Sequence, residues 1–228
     1  MVKKLLRALT PRAAYEAVSV SRTVRRNRAV DQRMRGEARE LPFELIADLK
    51  VVPGRTELLE RMPKDAVVAE VGVADGELSR QILEVCRPRK LVLIDLWPEG
   101  SQRYGDEAMQ RTMANVAAGV RDGVVEVRRG YSWDMLAQLP DASLDWVYID
   151  AAHDYDSVRK DLRAAHPKMK DGGIIAGHDY TRWSGKGLSR WGVVEAVNGF
   201  CVEHGWSMIH LTHESHRHIS YAIQRRPV

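Results

Sequence analysis

The sequence predicts an α/β domain built on a mostly parallel sheet with helices on both faces. Three observations carry that prediction. From Ala66 onward, short apolar runs alternate with helix-length amphipathic segments. The runs are almost continuously apolar, as strands covered on both sides must be. The final two runs, Trp206–Leu211 and His218–Gln224, have no helix-length segment between them and read as an antiparallel pair.

Taken in order, Glu44–Leu59 places apolar and charged residues at helical spacing, interrupted by Pro53-Gly54, and Pro63 marks a boundary. Residues 1–60 therefore read as an N-terminal helical arm or cap, and residues 61–228 as the main domain. Val67–Val71, Leu91–Ile94, Val124–Val127, Trp146–Ile149 and Ile174–Gly177 are the predicted parallel strands. Between them lie predicted helices at Glu77–Cys86, Asp106–Val120, Trp133–Leu139 and Ser157–Lys168, the last closed by Gly172-Gly173. Met109, Met113, Val116 and Ala117 line one face of the second of these. Thr181–Gly192, rich in Gly, Ser, Trp and Arg, reads as a mobile loop before a helix at Val193–His204.

Composition narrows the class. A chain of 228 residues that is 44% hydrophobic can bury one sizeable core. No apolar run reaches the roughly 18 residues of a membrane span. Two cysteines, Cys86 and Cys201, make no disulfide framework, which points to a reducing, cytoplasmic setting and to buried thiols. Residues 1–40 hold 11 Lys/Arg against 4 Asp/Glu, a balance of +7, whereas the whole chain is +4 and the remainder is therefore −3. The high pI belongs to the arm, and the slightly acidic body argues against a nucleic-acid substrate. Leu5, Leu6, Leu9 and Tyr15 are expected to pack the arm onto the body or onto a second copy in a homodimer.

The chemistry concentrates at strand ends. Glu70-Val-Gly72-Val-Ala-Asp75-Gly76 follows the first strand and opens a helix, and its glycines allow a tight turn with close backbone approach to a ligand. Asp95 ends the second strand, at the separation from the turn that suits a ribose-binding carboxylate. Nicotinamide dinucleotides use a similar arrangement, but Gly72-x-Ala74-x-Gly76 lacks the G-x-G-x-x-G spacing. Acidic Glu70 and Asp75 would repel a pyrophosphate and suit a cationic amino-acid or sulfonium group. S-adenosylmethionine is thus the expected cofactor. Asp150 with His153, and His178 with Asp179, end two later strands and aim carboxylate and imidazole groups into the same crevice, as metal binding or proton abstraction requires.

Residues 66–180 resemble the class I S-adenosylmethionine-dependent methyltransferases. More narrowly, Asp150-Ala-Ala-His153 and Gly177-His178-Asp179-Tyr180 resemble the small-molecule O-methyltransferases that include macrolide-sugar and other saccharide O-methylating enzymes. The resemblance implies a Rossmann-like, doubly wound, seven-stranded sheet with a reversed last strand. It implies cofactor contacts at Glu70, Gly72, Asp75, Gly76 and Asp95, and a divalent metal, Mg²⁺ or Mn²⁺, held by Asp150 and Asp179, with His153 as general base. His178 stands where some relatives have an acidic residue and becomes the expected third ligand. Asp150 is also expected beside the cofactor. Gly130-Tyr131-Ser132-Trp133 occupies the place of adenine contacts, with Ser132 hydrogen bonding and Trp133 stacking.

Physical chemistry runs parallel to the resemblance. A sugar hydroxyl is a poor nucleophile, so taking a sulfonium methyl needs deprotonation or metal polarisation. An imidazole titrates near neutrality, which suits His153 to the proton. Trp183 and Trp191 flank Ser184-Gly185-Lys186-Gly187 and, with Arg182, Lys186 and Arg190, suit a lid over a sugar acceptor. His210, His213, His216 and His218 are irregularly spaced and read as a solvated turn rather than a second metal site. The expected activity is metal-dependent transfer of a methyl group from S-adenosylmethionine to a saccharide hydroxyl. A phenol or catechol O-methyltransferase, an RNA methyltransferase and a non-catalytic cofactor-binding module are the alternatives.

Overall fold

The computed structural model describes residues 12–185, 188–214 and 218–225, with side chains from Val18 onward. Leu5, Leu6, Leu9, Lys186, Gly187, His216 and the side chain of Tyr15 lie outside the described residues.

An eight-stranded sheet forms the centre, in the order β1-β9-β10-β6-β5-β2-β3-β4. Its strands are β1 (Lys50–Val52), β2 (Val67–Val71), β3 (Lys90–Asp95), β4 (Val125–Arg129), β5 (Leu144–Ile149), β6 (Met169–Gly177), β9 (Trp206–Thr212) and β10 (Tyr221–Arg225). β10 runs antiparallel to both β6 and β9, and the other pairings are parallel. The seven predicted strands are present, and β1 extends the sheet beyond them. Lys50–Val52 falls in a segment whose spacing suggested helix. There the chain instead makes a 3₁₀ turn over Phe43–Leu45, the strand, and a helix α2 (Arg55–Arg61) after Pro53-Gly54. Pairing with β9 supplies the hydrogen bonds that decide the matter, a tertiary effect that local spacing cannot carry.

Helices cover both faces. α1 (Arg12–Glu37), α6 (Ser132–Ala137), α7 (Tyr155–Ala165) and α8 (Val193–His204) lie on one side. On the other are α2, α3 (Glu77–Gln81, continuing as a π-turn through Ile82–Cys86), α4 (Asp106–Asn115) and α5 (Ala117–Arg121). Strand β5 shows why a continuous apolar run was needed. Leu144, Val147 and Ile149 enter one core and Trp146 and Tyr148 the other, all buried. The predicted helix over Asp106–Val120 breaks at Val116, and Gly119 then tucks against β4, where a Cβ would come within 2.6 Å of Val125. Gly172-Gly173 does not close α7 but lies inside β6.

The segment expected to be a mobile loop is a two-stranded hairpin, β7 (Trp183–Ser184) with β8 (Ser189–Arg190). Its anchor is Arg190, a buried guanidinium that donates to Glu195 on α8 (2.8 Å) and to Asp31 on α1 (2.9 Å). The C-terminal half of the arm helix is thereby fixed to the body. Met34 is buried in the core, Tyr155 Oη donates to Glu37 at 2.9 Å, and Asn27 bonds the Leu188 carbonyl. None of the helices in the described residues is long and apolar enough to cross a membrane.

Candidate active site

Strand order reverses between β2 and β5, which places the ligand crevice at their carboxyl ends. Backbone bonds align those ends in sequence across the sheet. Gly72 N donates to Ile94 O (2.9 Å), Asp150 N to Val71 O (2.7 Å) and His178 N to Ile149 O (3.1 Å). The glycine turn, Asp150 and His178 are therefore neighbours by construction. Gly72 has φ +85°, and a Cβ there would come 2.2 Å from the Asp150 carbonyl oxygen, so only glycine lets the two loops meet. Helix α4 clamps the turn from the other side. Thr112 Oγ1 donates to Ala74 O (3.0 Å) and Asn115 Nδ2 to Asp75 O (2.9 Å).

A cavity of about 890 Å³ opens from this crevice, within the roughly 300–1,000 Å³ range of small-molecule sites. Of the residues expected to hold the cofactor, Glu70, Gly72, Asp75, Asp95, Ser132, Trp133 and Asp150 all line it. Gly76 does not. It packs against α4, where a Cβ would meet Thr112 Cα at 2.9 Å. Asp95 also shapes the turn, since its carboxylate accepts from Ala74 N (2.8 Å) and Trp97 N (3.0 Å). Ser132 is engaged with the buried carboxyl of Asp161 on α7, whose pKa burial pushes up to about 7. Trp133 stacks on Tyr131 at 5.1 Å, with the Lys160 ammonium 4.6 Å from its ring.

Glu70 is fully buried. One carboxylate oxygen accepts from Ser79 Oγ at 2.6 Å and the other, Oε1, has no partner among the described residues. Burial pushes its pKa up to about 8, against a partly offsetting hydrogen bond from Ser79. An orphaned oxygen on a suppressed carboxylate fits a site awaiting a cationic group. The sign of the linkage follows. A carboxyl with a raised folded-state pKa contributes stability that is present at low pH and lost as the pH climbs through the folded value. Glu70→Gln is therefore expected to remove up to about 4 kcal/mol of stability loss between pH 4.5 and 8. Urea unfolding of both proteins across that range checks it, and parallel curves would refute it.

Beyond the cavity floor, Asp179 is the hub of a second cluster. It is buried and holds φ +58°, a left-handed conformation that Asp tolerates better than most residues. His153 Nδ1 approaches one carboxylate oxygen at 3.2 Å, while His178 Nδ1 (3.0 Å) and His218 Nδ1 (2.8 Å) approach the other. Burial alone would raise the Asp179 pKa, but the His178 hydrogen bond and the nearby imidazoles hold it below the usual range. Asp150 goes the other way, raised by burial and by Asp179 against the opposing pull of His178.

Asp150, His153 and Asp179 can each bring one ligand atom within 4.8 Å of the others. That spacing and donor set fit a single divalent ion. The compact set contains His153 where His178 was expected. His178 reaches Asp179 and, at 3.8 Å, Asp150 through Nδ1, and its Nε2 is buried without a partner among the described residues.

Two participants, His218 and Arg55, were not foreseen. His218 was read as part of a solvated turn, yet it is half-buried on Asp179. Trp191 packs on both His153 (centroids 4.4 Å) and His218 (4.8 Å). The backbone helps here too, because Gly192 N donates to His153 O at 2.9 Å. Arg55, at the start of α2, lines the cavity with its guanidinium carbon 5.6 Å from the Tyr148 ring centroid. No local motif signals these contacts. Each comes from a segment distant in sequence that the sheet topology brings to the crevice.

A family described as a methyltransferase domain matches residues 69–180. Among solved structures, the chain is similar to the pyocyanin biosynthetic protein PhzM at 15% identity and TM-score 0.55, covering 75% of this chain and 54% of that one. It is similar to precorrin-6y C5,15-methyltransferase from Geobacter metallireducens at 16% identity and TM-score 0.54, covering 75% and 86%. A spermidine synthase from Thermotoga maritima aligns at 15% identity and TM-score 0.53, covering 75% and 56%. The chain thus spans about half the length of the first of these structures. No curated protein sequence matches it. Likeness at such identity shows the fold.

Proposed function

We propose that this chain, which has the class I S-adenosylmethionine-dependent methyltransferase fold, moves the cofactor's methyl group to a hydroxyl oxygen, and that the hydroxyl belongs to a saccharide. The single observation that carries the reading is the His153–Asp179 contact of 3.2 Å at the edge of the cavity bounded by Glu70, Asp95 and Asp150. The bound cofactor supplies an electrophilic methyl on a sulfonium centre. What the protein must add is a nucleophilic oxygen, held close and relieved of its proton.

His153 takes that proton in this reading. With Nδ1 turned to Asp179, its other ring nitrogen is left for the acceptor, and Asp179 fixes the tautomer and ring orientation. Trp191 against the imidazole limits its rotation and excludes water from that side. Trp191 and the half-exposed Trp183 on the neighbouring hairpin offer aromatic surface of the kind that suits the apolar face of a sugar ring.

The 4.8 Å spacing of Asp150, His153 and Asp179 supports a second reading, in which these residues hold a divalent ion. A metal there would lower the pKa of a bound hydroxyl, and His153 would be a ligand rather than the base.

A turnover screen over hydroxylated glycans and phenols, run with chelator and with Mg²⁺ or Mn²⁺ added back, separates the possibilities. Methyl transfer to glycans that persists in chelator supports His153 as base. Loss on chelation with recovery on adding Mn²⁺ supports the metal reading. Transfer confined to phenols reassigns the acceptor, and transfer to RNA with none to small hydroxyl acceptors overturns the proposal.

A further inference from the structure

Arg55 is a cation in the wrong place for a merely structural one. It stands in the first turn of α2 and reaches over Tyr148 to line the cavity that Glu70 and Asp150 also line. Its Nε is buried and without a hydrogen-bond partner, and it makes no ion pair among the described residues. Burial pulls its pKa down, but Tyr148, Asp150, Glu214 and Glu70, acting only at a distance, together hold it up. A guanidinium cannot shed its charge, so burying one with unused donors is costly unless a ligand completes it.

The cavity's charges are otherwise negative where a cofactor would lie. Glu70, Asp75, Asp95 and Asp150 line it, and Glu70 keeps an orphan oxygen. S-adenosylmethionine carries two positive groups, its ammonium and its sulfonium, and one negative group, its α-carboxylate. The carboxylates of the site account for the cationic groups and leave the ligand carboxylate to be satisfied. Among the described residues, Arg55 is the arginine over Tyr148, which pairs with Glu70 across β2 and β5 and precedes Asp150 by two residues, and its fork geometry matches a carboxylate.

Resting on the cofactor reading above, we propose that Arg55 binds the α-carboxylate of S-adenosylmethionine and makes the site selective for donors that keep this group. The residue is a specificity determinant for the donor and takes no part in moving the proton. Arg103 and Arg111 also line the cavity. They come from α4 and the segment leading into it, however, and Arg103 already lies 5.0 Å from the Tyr104 ring.

Calorimetric titration of the full chain with three ligands tests this: S-adenosylhomocysteine, its decarboxylated analogue and methylthioadenosine, which lacks the amino-acid end. Wild type is expected to favour S-adenosylhomocysteine over the decarboxylated analogue by about 30-fold, the scale of a lost charge-assisted hydrogen bond. Arg55→Met is expected to erase that preference while leaving methylthioadenosine affinity within about 2-fold, which also reports that the variant is folded. Arg55→Gln serves the same purpose if the methionine variant does not fold. Equal weakening of all three ligands, an unchanged preference in the variants, or no preference in wild type would each overturn the assignment. Failure of wild type to bind any of the three is a different result, and it removes the cofactor reading itself.

Discussion

Replacing His153 by alanine is expected to lower methyl transfer by roughly 10²–10⁴-fold, the usual contribution of a positioned general base. S-adenosylhomocysteine affinity should stay within about 2-fold, because the loss falls on a group acting in the transition state. The expectation depends on the imidazole being held, and the structure holds it three ways. Asp179 binds Nδ1, Trp191 packs on the ring, and Gly192 N takes the main-chain carbonyl. Asp179→Asn should therefore lose much of the same activity, since an amide can present the wrong partner to Nδ1. Mn²⁺ affinity measured by electron paramagnetic resonance separates base from ligand. If His153 is the base, the alanine variant keeps whatever Mn²⁺ binding wild type has. If it is a ligand, affinity and turnover fall together. Full activity in the variant would exclude both roles.

The parts of the fold that were legible share a physical cause. Buried parallel strands need apolar side chains at nearly every position, and Trp146–Ile149 and, apart from Glu70, Val67–Val71 have them, so their existence and order of appearance were plain. Elements made by partners were not plain. β1 exists because β9 offers its edge, and Arg190, which pins the β7–β8 hairpin, is buried only because Asp31 and Glu195 meet it from opposite sides. Loop composition around Ser184 suggested mobility, but composition does not report a distant carboxylate. The reversed last strand followed from the resemblance and is present as β10 between β6 and β9.

The site divides along the same line. Glu70, Gly72, Asp95 and Asp150 could be placed because each lies at or next to the carboxyl end of a strand, and parallel strands end on one side of a sheet. Gly76, expected at the ligand from its motif, lies outside the cavity lining and packs under Thr112. His218 and Arg55 come from chain segments on either side of the main strand series, at β10 and β1. Neither position has a local pattern that marks a functional residue. They reach the crevice because β10 inserts beside β6 and α2 folds back over the sheet. His218 could have been suspected from one feature only, an imidazole a few residues before a strand that must begin near Gly177 if it pairs antiparallel with β6.

The buried ion network around Arg190 carries the largest expected effect on stability. Arg190 and Glu195 have side chains 2% and 1% exposed, and the same guanidinium also binds Asp31. Burial is the largest single effect on each, but it is overcome by Glu195 with Asp31, which raise Arg190, and by Arg190 with Arg182, which lower Glu195. Arg190→Met would leave Glu195 as a buried carboxylate with Arg182 as its remaining side-chain partner, and would remove the link from Asp31 on α1 to the hairpin. Breaking one side of such a pair costs about 3–5 kcal/mol, which for a chain of this size lowers Tm on the order of 10 °C. Arg182 also binds Glu195, at 2.9 Å, but its side chain is 55% exposed. Arg182→Met should therefore cost no more than about 1 kcal/mol. The pH dependence has a definite sign. A carboxylate with a depressed folded-state pKa contributes stability that is present above its unfolded value, near 4.5 for Glu195, and lost as the pH falls through the folded one. The wild-type advantage over Arg190→Met should accordingly be full at pH 7 and shrink below about pH 4.5. Because Trp191 follows Arg190 directly and packs on His153, the variant should lose turnover at temperatures where it is still folded. Thermal unfolding of the two variants at pH 7 and pH 4, with activity measured below both transitions, checks each part. Equal melting temperatures for Arg190→Met and Arg182→Met would mean that burial does not set the value of this network.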